Sequence, residues 1–218
     1  MPLEIGLIRH GHSVAQEARE MAERAGHLQF AFEPSDALAP LSPLGEQQSR
    51  RLGEWLRQRK FVASHVFSSP FRRTKDTAEL VVEAAGFATP ILLDHGLEEI
   101  AWGEFDGLTK AGRRAYHPEL FEQHRRDKFH NSPPGGESWK SVAERVRPVA
   151  QRITSLEGVV FVVAHEVTLK CFRYVLENLS PEQTLALPDI PNASLTLYRC
   201  DAGGLCLQLE NFVPGAAV

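Results

Sequence analysis

The sequence predicts an α/β fold of three layers, in which helices cover both faces of a mostly parallel central sheet. Residues 159–164 form a continuous apolar run, which is typical of a strand buried on both faces in a parallel sheet. Shorter runs at 3–8 and 65–68 lead directly into polar turns and helix signals, the order expected when strands alternate with helices. The length of 218 residues suits a single domain covering 1–218.

Helix formers and capping signals predict the helices of the N-terminal half. The first helix covers 14–26 and ends at a glycine suited to a C-cap. Two more begin at Ser-Pro pairs, read as N-cap and first helical residue, at 42–43 and 69–70. The apolar spacing in the helix from 43 places Trp55 on the inward stripe, so we expect it in the core.

The C-terminal half repeats the same alternation. An amphipathic helix begins near residue 139, and Pro148 within it predicts a kink or a break. The strand that follows ends at a histidine, and the next helix is expected to start near Thr168. Residues 194–209 predict a terminal hairpin whose strands are joined through 201–204.

Three segments carry weaker signals. Residues 27–41 are irregular, and two interpretations stay open: a loop over the functional site or a packed surface connection. Residues 90–93 predict a third strand. A stretch rich in positive charge follows, and we interpret it as an exposed helical face because acidic residues dilute it. Its cations are Lys110, Arg113, Arg114, Arg125, Arg126 and Lys128.

Composition limits the functional classes. The formal net charge is -4 at pH 7, so the chain has no global basic field to attract nucleic acid. Cys171, Cys200 and Cys206 form an odd set without metal-ligand spacing, which favours free thiols in a reducing compartment. Neither a secretory signal nor an apolar run long enough to cross a bilayer is apparent. We therefore expect a cytoplasmic protein that does not bind a membrane.

Basic side chains follow three of the predicted strands, at the point where each strand ends. Arg9 and His10 follow the first, Arg72 and Arg73 follow the second within the first turn of a helix, and His165 follows the long apolar run. Ligands of open α/β sheets bind beyond the carboxyl ends of the strands. Arginine forks and helix N-termini both suit phosphate oxygens. These residues are expected to converge on one anionic pocket, although spacing alone does not choose between the two arginines of the second group.

The chain resembles the histidine phosphatase superfamily, with its phosphoglycerate mutase-like fold, over nearly its whole length. The family motifs are Arg-His-Gly-x-Ser at 9–13, Pro-Leu-Thr-x-x-Gly-x-x-Gln at 40–48, Ser-Ser-Pro-x-x-Arg-Ala-x-x-Thr-Ala at 68–78, Leu-x-Glu-Ile-x-x-Gly-x-x-x-Gly at 97–107, Gly-Gly-Glu-Ser at 135–138 and Val-Ala-His at 163–165. Ser42 stands for threonine and Thr74 for alanine in this set. The third motif selects Arg73 over Arg72.

The resemblance implies a role for each matching residue. His10 resembles the nucleophile that accepts a phosphoryl group and forms a phosphohistidine. Arg9, Arg73 and His165 resemble the phosphate clamp, and Glu99 resembles the general acid that protonates the leaving oxygen and later activates water. Metal and cofactor are not required, because arginines and histidines supply the positive charge.

Four further residues are expected in the phosphate or substrate site: Gly11, Ser13, Gln16 and Glu166. Two of them depart from the family pattern. Gln16 stands where the family often has asparagine, and Glu166 stands where a small residue usually follows the second histidine. A carboxylate beside the pocket would repel an acidic substrate or attract an amine.

We predict a metal-independent phosphatase acting on a phosphorylated small molecule. A phosphomutase that returns the phosphoryl group to a sugar acid, and a catalytically silent binding module, are the alternatives. The complete set of His10, Arg73, Glu99 and His165 argues against the silent module. Substrate choice is expected to depend on segments 14–41 and 108–134, and a homodimer stays an open alternative for the assembly.

Overall fold

The apolar run at 159–164 lies inside a six-stranded sheet, with a paired strand on each side. The computed structural model describes residues 3–31, 35–201 and 204–215. Within these residues the strand order is β3-β2-β4-β1-β5-β6. The strands are β1 (Glu4–Arg9), β2 (Ala63–Ser68), β3 (Ile91–Leu93), β4 (Val159–Ala164), β5 (Leu195–Asp201) and β6 (Gly204–Phe212).

The sheet is mostly parallel, as predicted. The strands β1 to β4 run in one direction, whereas β5 and β6 add an antiparallel edge. The register pairs Arg9 with Ala164 and Ser68 with Val163. The residues that follow these strands, His10, Ser69 and His165, therefore leave the sheet side by side.

Helices cover both faces of the sheet, which confirms the three-layer prediction. One face packs against α6 and α7, and the other packs against α2 and α3, each through its own apolar cluster. The helices are α1 (Val14–Arg24), α2 (Pro43–Gln58), α3 (Arg72–Ala85), α4 (Lys110–Tyr116), α5 (Pro118–Arg126), α6 (Trp139–Thr154), α7 (Glu166–Glu177) and α8 (Pro181–Leu185). The prediction of a single domain stays a prediction.

Two predicted helix starts are wrong. The N-cap of α3 is Phe71, without a side-chain cap, and not Ser69. The Ser69 hydroxyl instead accepts a hydrogen bond from the Phe71 amide and contacts the ring of His165. The helix α7 begins at Glu166, two residues before the predicted Thr168.

Two further predictions, a kink or a break at Pro148 and a core position for Trp55, are met only in part. The helix α6 runs through Pro148 without a break. Pro148 and Glu144, whose carbonyl loses its intrahelical donor, both lie on the exposed face, where water can replace the missing bond. Trp55 is half-buried rather than fully enclosed, because it lies at the margin of the core and packs against Phe61 and Phe212.

The irregular segment lies over the site, which decides between its two interpretations. The Phe30 amide donates to the carbonyl of Gly107 at 2.9 Å, and Gln29 bridges to Leu108. Phe30, Ala31, Ser35 and Asp36 line the site cavity. Residues 32–34, part of this segment, and residues 202–203, part of the predicted hairpin link, lie outside the described residues.

Residues 90–93 contribute the short strand β3, and 194–209 contribute to the hairpin β5–β6, as predicted. Across the described ranges, the structure contains no helix that is both long and apolar enough to span a membrane.

Candidate active site

The strand ends and the covering segment enclose a cavity of about 420 Å³. Its floor lies at the carboxyl ends of β1 and β4, where the register places His10 and His165 next to each other. Its walls come from α1, from the segment around residue 30 and from residues 99–113. The lining residues are Arg9, His10, Ser13, Ala15, Gln16, Arg19, Phe30, Ala31, Ser35, Asp36, Arg73, Glu99, Trp102, Asp106, Gly107 and Arg113.

His10 is held in one tautomer by its neighbour. Its Nδ1 lies 2.7 Å from the carbonyl oxygen of Gly11. Because a carbonyl only accepts hydrogen bonds, Nδ1 carries the proton and Nε2 keeps a lone pair. The backbone is equally fixed, since the His10 amide donates to Ala164 at 3.0 Å and its carbonyl accepts from Asn192 Nδ2 at 3.0 Å. The ring is therefore oriented as a nucleophile.

Gly11 allows the turn after β1 to pass against α2. A Cβ atom at Gly11 would lie 2.5 Å from the carbonyl oxygen of Gly45 and 2.8 Å from Ser49 Oγ, distances that no real Cβ tolerates. The Gly11 amide donates to Thr77 Oγ1 of α3 at 2.9 Å. Gly11 therefore shapes the site through its backbone. It does not line the cavity, so it is not placed to contact a substrate directly as the sequence analysis expected.

Ser13 and Gln16 both line the cavity, as the sequence predicted for binding residues. Ser13 caps α1 by accepting from the Gln16 amide at 3.2 Å. The Gln16 side chain forms a reciprocal pair with Asn192, with both amide-to-amide distances at 3.1 Å, and also donates to Glu20 at 3.0 Å. The longer amide of Gln16 is thus fixed in place beside the nucleophile.

Arg9 is half-buried, and the described residues bind only some of its hydrogen-bond donors. Its Nη1 donates to the carbonyl of Ile190 and forms an ion pair with Glu166 at 3.1 Å. Its Nε is buried without a hydrogen-bond partner among the described residues. Burial lowers the pKa of Arg9, and Glu166 and Glu99 oppose that shift. A buried donor without a partner is costly unless a ligand accepts from it.

Arg73 is the arginine that reaches the site, as the family motif indicated. It is 4% exposed, whereas Arg72 points away and pairs with Asp76 at 3.6 Å. Asp36 holds the guanidinium twice, through its carbonyl at 2.8 Å and its carboxylate at 3.0 Å. Arg73 also lies over the ring of Phe71, 5.0 Å from its centroid.

His165 is fully buried beside the nucleophile and does not itself line the cavity. Its ring centroid lies 5.2 Å from that of His10 and 5.1 Å from that of Phe71. Its Nε2 is 3.0 Å from Ser69 Oγ, and its Nδ1 has no partner in the described part of the chain. Burial lowers the pKa of His165 well below its ordinary range, and Arg73 lowers it further.

The pKa values of His10 and Glu99 move in opposite directions. Burial lowers the pKa of His10 well below its ordinary value, and Arg73 and Arg9 add to the effect. Burial raises the pKa of Glu99, although Arg73 and the amide of Ile100 oppose the rise. A neutral imidazole and a protonated carboxyl are therefore favoured together, the states that a nucleophile and a general acid need.

Glu99 differs from the carboxylates beside it in the sequence. Its Oε1 accepts from the Ile100 amide at 2.9 Å, and it lines the cavity. Glu98 pairs with His95 at 2.6 Å, and Glu104 pairs with His117 at 3.5 Å. Neither of these two carboxylates lines the cavity, which agrees with the family motif in singling out Glu99.

Glu166 is not where the sequence analysis expected it. Its carboxylate does not line the cavity but bridges Arg9 at 3.1 Å and Lys170 of the same helix at 3.1 Å. Lys170 is 6% exposed and also approaches Asp189 at 3.4 Å. Glu166 therefore contacts the cavity only through Arg9, which is paired with it, and its carboxylate is not placed to face a substrate as the sequence analysis expected.

Sequence reasoning missed several residues that line the cavity or hold its side chains in place, Arg19 among them. Asp36 lay in a segment without periodicity, and Asn192 in a polar stretch before β5. Arg113 was assigned to an exposed face, but it is half-buried, lines the cavity and stacks over Trp102 at 4.3 Å. No local signal identified it, because Lys110, three residues earlier on the same face of this short helix, is exposed.

The arrangement suits transfer of a phosphoryl group to nitrogen. The cavity is lined by His10, whose imidazole burial keeps neutral, by the buried Arg73 and the half-buried Arg9, and by Glu99, whose pKa is raised. Arginine matches phosphate oxygens in geometry and charge. Within the described part of the chain, no three His, Cys, Asp or Glu side chains are grouped so that they could hold a metal ion.

Proteins similar to this chain include phosphoglycerate mutases, by sequence, and a phosphatase, by structure. A 2,3-bisphosphoglycerate-dependent phosphoglycerate mutase 2 of Gloeobacter violaceus is 37% identical over 150 residues, 66% of this chain and 67% of the relative. A 2,3-bisphosphoglycerate-dependent phosphoglycerate mutase of Methylorubrum populi is 31% identical over 74% of this chain and 78% of the relative. The solved structure of a mycobacterial glucosyl-3-phosphoglycerate phosphatase with VO3 is 26% identical, with a TM-score of 0.75 over 95% of this chain and 98% of that one.

The family profile covers almost the entire sequence. The profile described as histidine phosphatase superfamily (branch 1) matches residues 5–212, which contain the whole sheet, except Glu4, and all the residues that line the cavity. The chain belongs to the histidine phosphatase superfamily, branch 1.

Proposed function

We propose that this protein is a metal-independent phosphatase that hydrolyses a phosphate monoester through a phosphohistidine on His10. The observation that carries the proposal is the 2.7 Å contact of His10 Nδ1 with the Gly11 carbonyl. It leaves the Nε2 lone pair available at a cavity wall that also contains Arg9, Arg73 and Glu99.

The reaction has two steps. First, the lone pair of His10 Nε2 forms a bond to phosphorus, the bond to the leaving oxygen breaks, and Glu99 donates its proton to that oxygen. Then water attacks phosphorus, the nitrogen–phosphorus bond breaks, and the Glu99 carboxylate accepts a proton from the water. The two steps together return His10 and Glu99 to their starting states.

Arg9, Arg73 and His165 form the proposed phosphate clamp. The unpartnered Nε of Arg9 and the unpartnered Nδ1 of His165 support this assignment, because phosphoryl oxygens would satisfy both. The arginines counter the charge on the equatorial oxygens through the transfer. Burial keeps His165 neutral, and the negative charge of a bound phosphoryl group would favour protonation of its ring.

The charges of the cavity support hydrolysis of a phosphate ester over a mutase reaction that transfers the phosphoryl group to a sugar acid. Its described lining holds four arginines (Arg9, Arg19, Arg73 and Arg113) and three carboxyl groups (Asp36, Glu99 and Asp106). Two of the arginines already have carboxylate partners, Glu166 and Asp36. This balance suits a monoester of moderate charge better than a bisphosphate primer that also carries a carboxylate.

A phosphoglycerate mutase-type activity is the second candidate. The curated relatives, up to 37% identical, are named as mutases, and the same clamp and nucleophile would serve a phosphoenzyme that returns its phosphoryl group to an acceptor. The two candidates differ in whether water or a second substrate takes the group from His10.

The proposed substrate is a phosphorylated small molecule, handled in the cytoplasm without nucleic acid or membrane. Three unpaired thiols, Cys171, Cys200 and Cys206, support a reducing compartment. The formal charge of -4 offers no general attraction for polyanions. A homodimer is the alternative to a monomer, and sedimentation of the purified protein distinguishes them.

Rapid-quench trapping tests the proposal. During turnover of a phosphate monoester, wild-type protein should carry an acid-labile, base-stable phosphoryl label that is absent from His10→Ala. The exposed His95→Ala is the matched control and should keep the label. Absence of label during measurable turnover, or label retained in His10→Ala, would overturn the mechanism. Interconversion of 3- and 2-phosphoglycerate without phosphate release would assign the mutase instead.

A further inference from the structure

Asp36, in the segment that covers the cavity, holds Arg73 through two different groups. Its carbonyl oxygen accepts a hydrogen bond from Arg73 Nη1 at 2.8 Å, and its carboxylate Oδ2 lies 3.0 Å from Nη2. The Arg73 side chain is 5% exposed, whereas that of Asp36 is 49% exposed. The buried guanidinium is therefore held by a carboxylate that stays in contact with water.

The two groups of Asp36 act on Arg73 in different ways. The carbonyl belongs to the backbone, so it can orient the guanidinium whatever side chain occupies position 36. The carboxylate adds a negative charge beside the guanidinium. Each terminal nitrogen of an arginine carries two hydrogens, so a phosphoryl oxygen can bind Arg73 while Asp36 remains in place. A bound phosphate and the Asp36 carboxylate would then share one cation.

The charge of Asp36 is directed at Arg73. Within the described ranges, no second cation lies within ion-pair distance of the Asp36 carboxylate. Glu166, the carboxylate paired with the clamp residue Arg9, differs because it also pairs with Lys170 at 3.1 Å. Two anions that share one cation repel each other, and each weakens the binding of the other. Asp36 is therefore placed to oppose phosphate at Arg73.

We propose that Asp36 is a positioning residue whose carboxylate competes with phosphate for Arg73 and thereby promotes release of the phosphate product. Between turnovers the carboxylate stabilises the buried guanidinium, which would otherwise lack a counterion. Once the phosphohistidine is hydrolysed, repulsion by the same carboxylate keeps the phosphate from being retained on the clamp. The inference rests on the proposed phosphatase function and adds the step that ends each cycle.

Calorimetric titration with inorganic phosphate tests the competition. Asp36→Asn has nearly the same size and keeps the backbone carbonyl, but it removes the charge. The variant should bind phosphate about 10-fold more tightly than wild type does. This factor corresponds to about 1.4 kcal/mol, within what a like charge contributes at this range. If the carboxylate served only to orient Arg73, its loss should weaken phosphate binding, so the sign of the change separates the two roles.

Two other carboxylates provide controls. Asp76 pairs with Arg72 at 3.6 Å on the same helix, α3, but outside the cavity, so Asp76→Asn should leave phosphate affinity unchanged. Asp106 lines the cavity, and no arginine of the described residues lies within ion-pair distance of it. Asp106→Asn should change phosphate affinity by less than about 3-fold. A gain as large as that of Asp36→Asn would show that the total charge of the cavity governs phosphate affinity, and would overturn the proposal.

Steady-state kinetics with p-nitrophenyl phosphate give a second readout. In Asp36→Asn, KM and the inhibition constant of phosphate should fall together by about 10-fold, and kcat should not rise, because tighter uniform binding does not speed the chemical steps. Asp36→Ala also removes the charge and keeps the backbone carbonyl, so it should give the same result if the asparagine variant does not fold. A higher KM in these variants would contradict the competition.

The phosphate titration requires no turnover, so it separates this inference from the proposed function. If Asp36→Asn binds phosphate more tightly while wild-type protein releases no phosphate from esters, the competition at Arg73 is supported and the phosphatase alone is rejected. If wild-type protein hydrolyses esters normally but Asp36→Asn binds phosphate equally, more weakly or not detectably, the role of Asp36 alone is rejected.

Discussion

The guanidinium of Arg145 and the carboxylate of Glu137 form a two-pronged ion pair, with Nε–Oε1 at 2.8 Å and Nη2–Oε2 at 3.1 Å. The same two side chains hold the backbone on both sides of Glu99. Arg145 donates to the carbonyls of Gly96 at 2.9 Å and Glu99 at 3.2 Å, and Glu137 accepts from the Ala101 amide at 3.0 Å. Helix α6 thereby sets the position of the proposed general acid.

We expect Arg145→Ala to impair substrates with poor leaving groups selectively. Loss of the guanidinium frees the loop that carries Glu99, so proton donation to an alkoxide should weaken by about 10-fold or more, within the range of general acid catalysis. Turnover of p-nitrophenyl phosphate, whose leaving group needs no proton, should change much less. Steady-state kinetics with both substrates measure the contrast.

Arg147 provides the control for that experiment, because it lies on the exposed face of the same helix. Arg147→Ala should leave both rates unchanged. In the background of Glu99→Gln, Arg145→Ala should add little further loss with the alkyl phosphate, since the proton donor is already gone. Equal, additive losses with both substrates would mean that Arg145 only supports the fold.

Glu99→Gln tests the general acid directly. Phosphorylation of His10 by an alkyl phosphate should slow by about 10²-fold to 10⁴-fold, whereas phosphorylation by p-nitrophenyl phosphate should slow much less. Single-turnover formation of the phosphoenzyme is the appropriate measurement, because loss of base assistance in the second step would mask the difference. Glu104→Gln, outside the cavity, should behave as wild type. The same loss with both esters would assign Glu99 to the scaffold.

The buried histidines predict a loss of stability in mild acid. Burial lowers the pKa of His10 and of His165 well below the usual value. The unfolded chain therefore takes up protons below about pH 6.5 that the folded protein does not. The stability that the two neutral histidines contribute is therefore fully present above that pH and is lost as the pH decreases. Each group contributes a slope of up to about 1.4 kcal/mol per pH unit.

Urea unfolding of wild type and His165→Gln at pH 7, 6 and 5 checks this prediction. The variant should lose less stability between pH 7 and 5 than wild type does, by about 1.4 kcal/mol per pH unit at most. His27→Gln, an exposed histidine, serves as the control. If the free energy of unfolding fell equally with decreasing pH in wild type and His165→Gln, the result would contradict a neutral, buried His165 ring.

Gly45→Ala should both destabilise the protein and reduce its activity. A Cβ at Gly45 would lie 2.0 Å from the carbonyl oxygen of His12, so α2 and the nucleophile turn could no longer pack together. We expect a cost of about 3 kcal/mol, at the upper end for overpacking. Chemical unfolding measures the cost, and phosphate release measures the loss of activity.

Gly26 is the matched glycine for that comparison. It has a φ of +72°, but no atom lies within 4 Å of a Cβ built there. Gly26→Ala should therefore cost only about 1 kcal/mol from backbone strain and leave activity intact. Similar costs at the two positions would show that backbone conformation, not close approach to His12, explains the glycine at 45.

The sheet, and the placement of His10 and His165 beside each other, could be predicted because both depend on local patterns. A continuous apolar run identified β4, and the parallel arrangement of strand ends then brought His10 and His165 together. The choice of Arg73 needed the family motif, since Arg72 and Arg73 both lie in the first turn of α3. The structure separates them by burial, which follows from how that helix faces the sheet.

The remaining site residues depend on the path of loops, and no local pattern records that path. Asp36 reaches Arg73 from a segment without helical or strand periodicity. Arg113 lies in a run of cations, and only the packing of α4 against Trp102 distinguishes it from Arg114. Glu166 was expected to face the substrate, but Lys170 one turn later draws its carboxylate toward Arg9.

His10 lies at the end of a sheet strand, whereas the wall of the cavity is formed by helices and loops. This division has a consequence for evolution and engineering. His10 is bonded to the backbone of its neighbouring strands, whereas Arg19, Phe30, Ala31, Trp102 and Arg113 come from helices and loops around the opening. If the proposed phosphatase function holds, substitutions at these five positions should change which ester is accepted while His10 stays in place. A saturation library confined to them should yield catalysts of divergent selectivity at a far higher frequency than a library of equal size drawn from the strand ends.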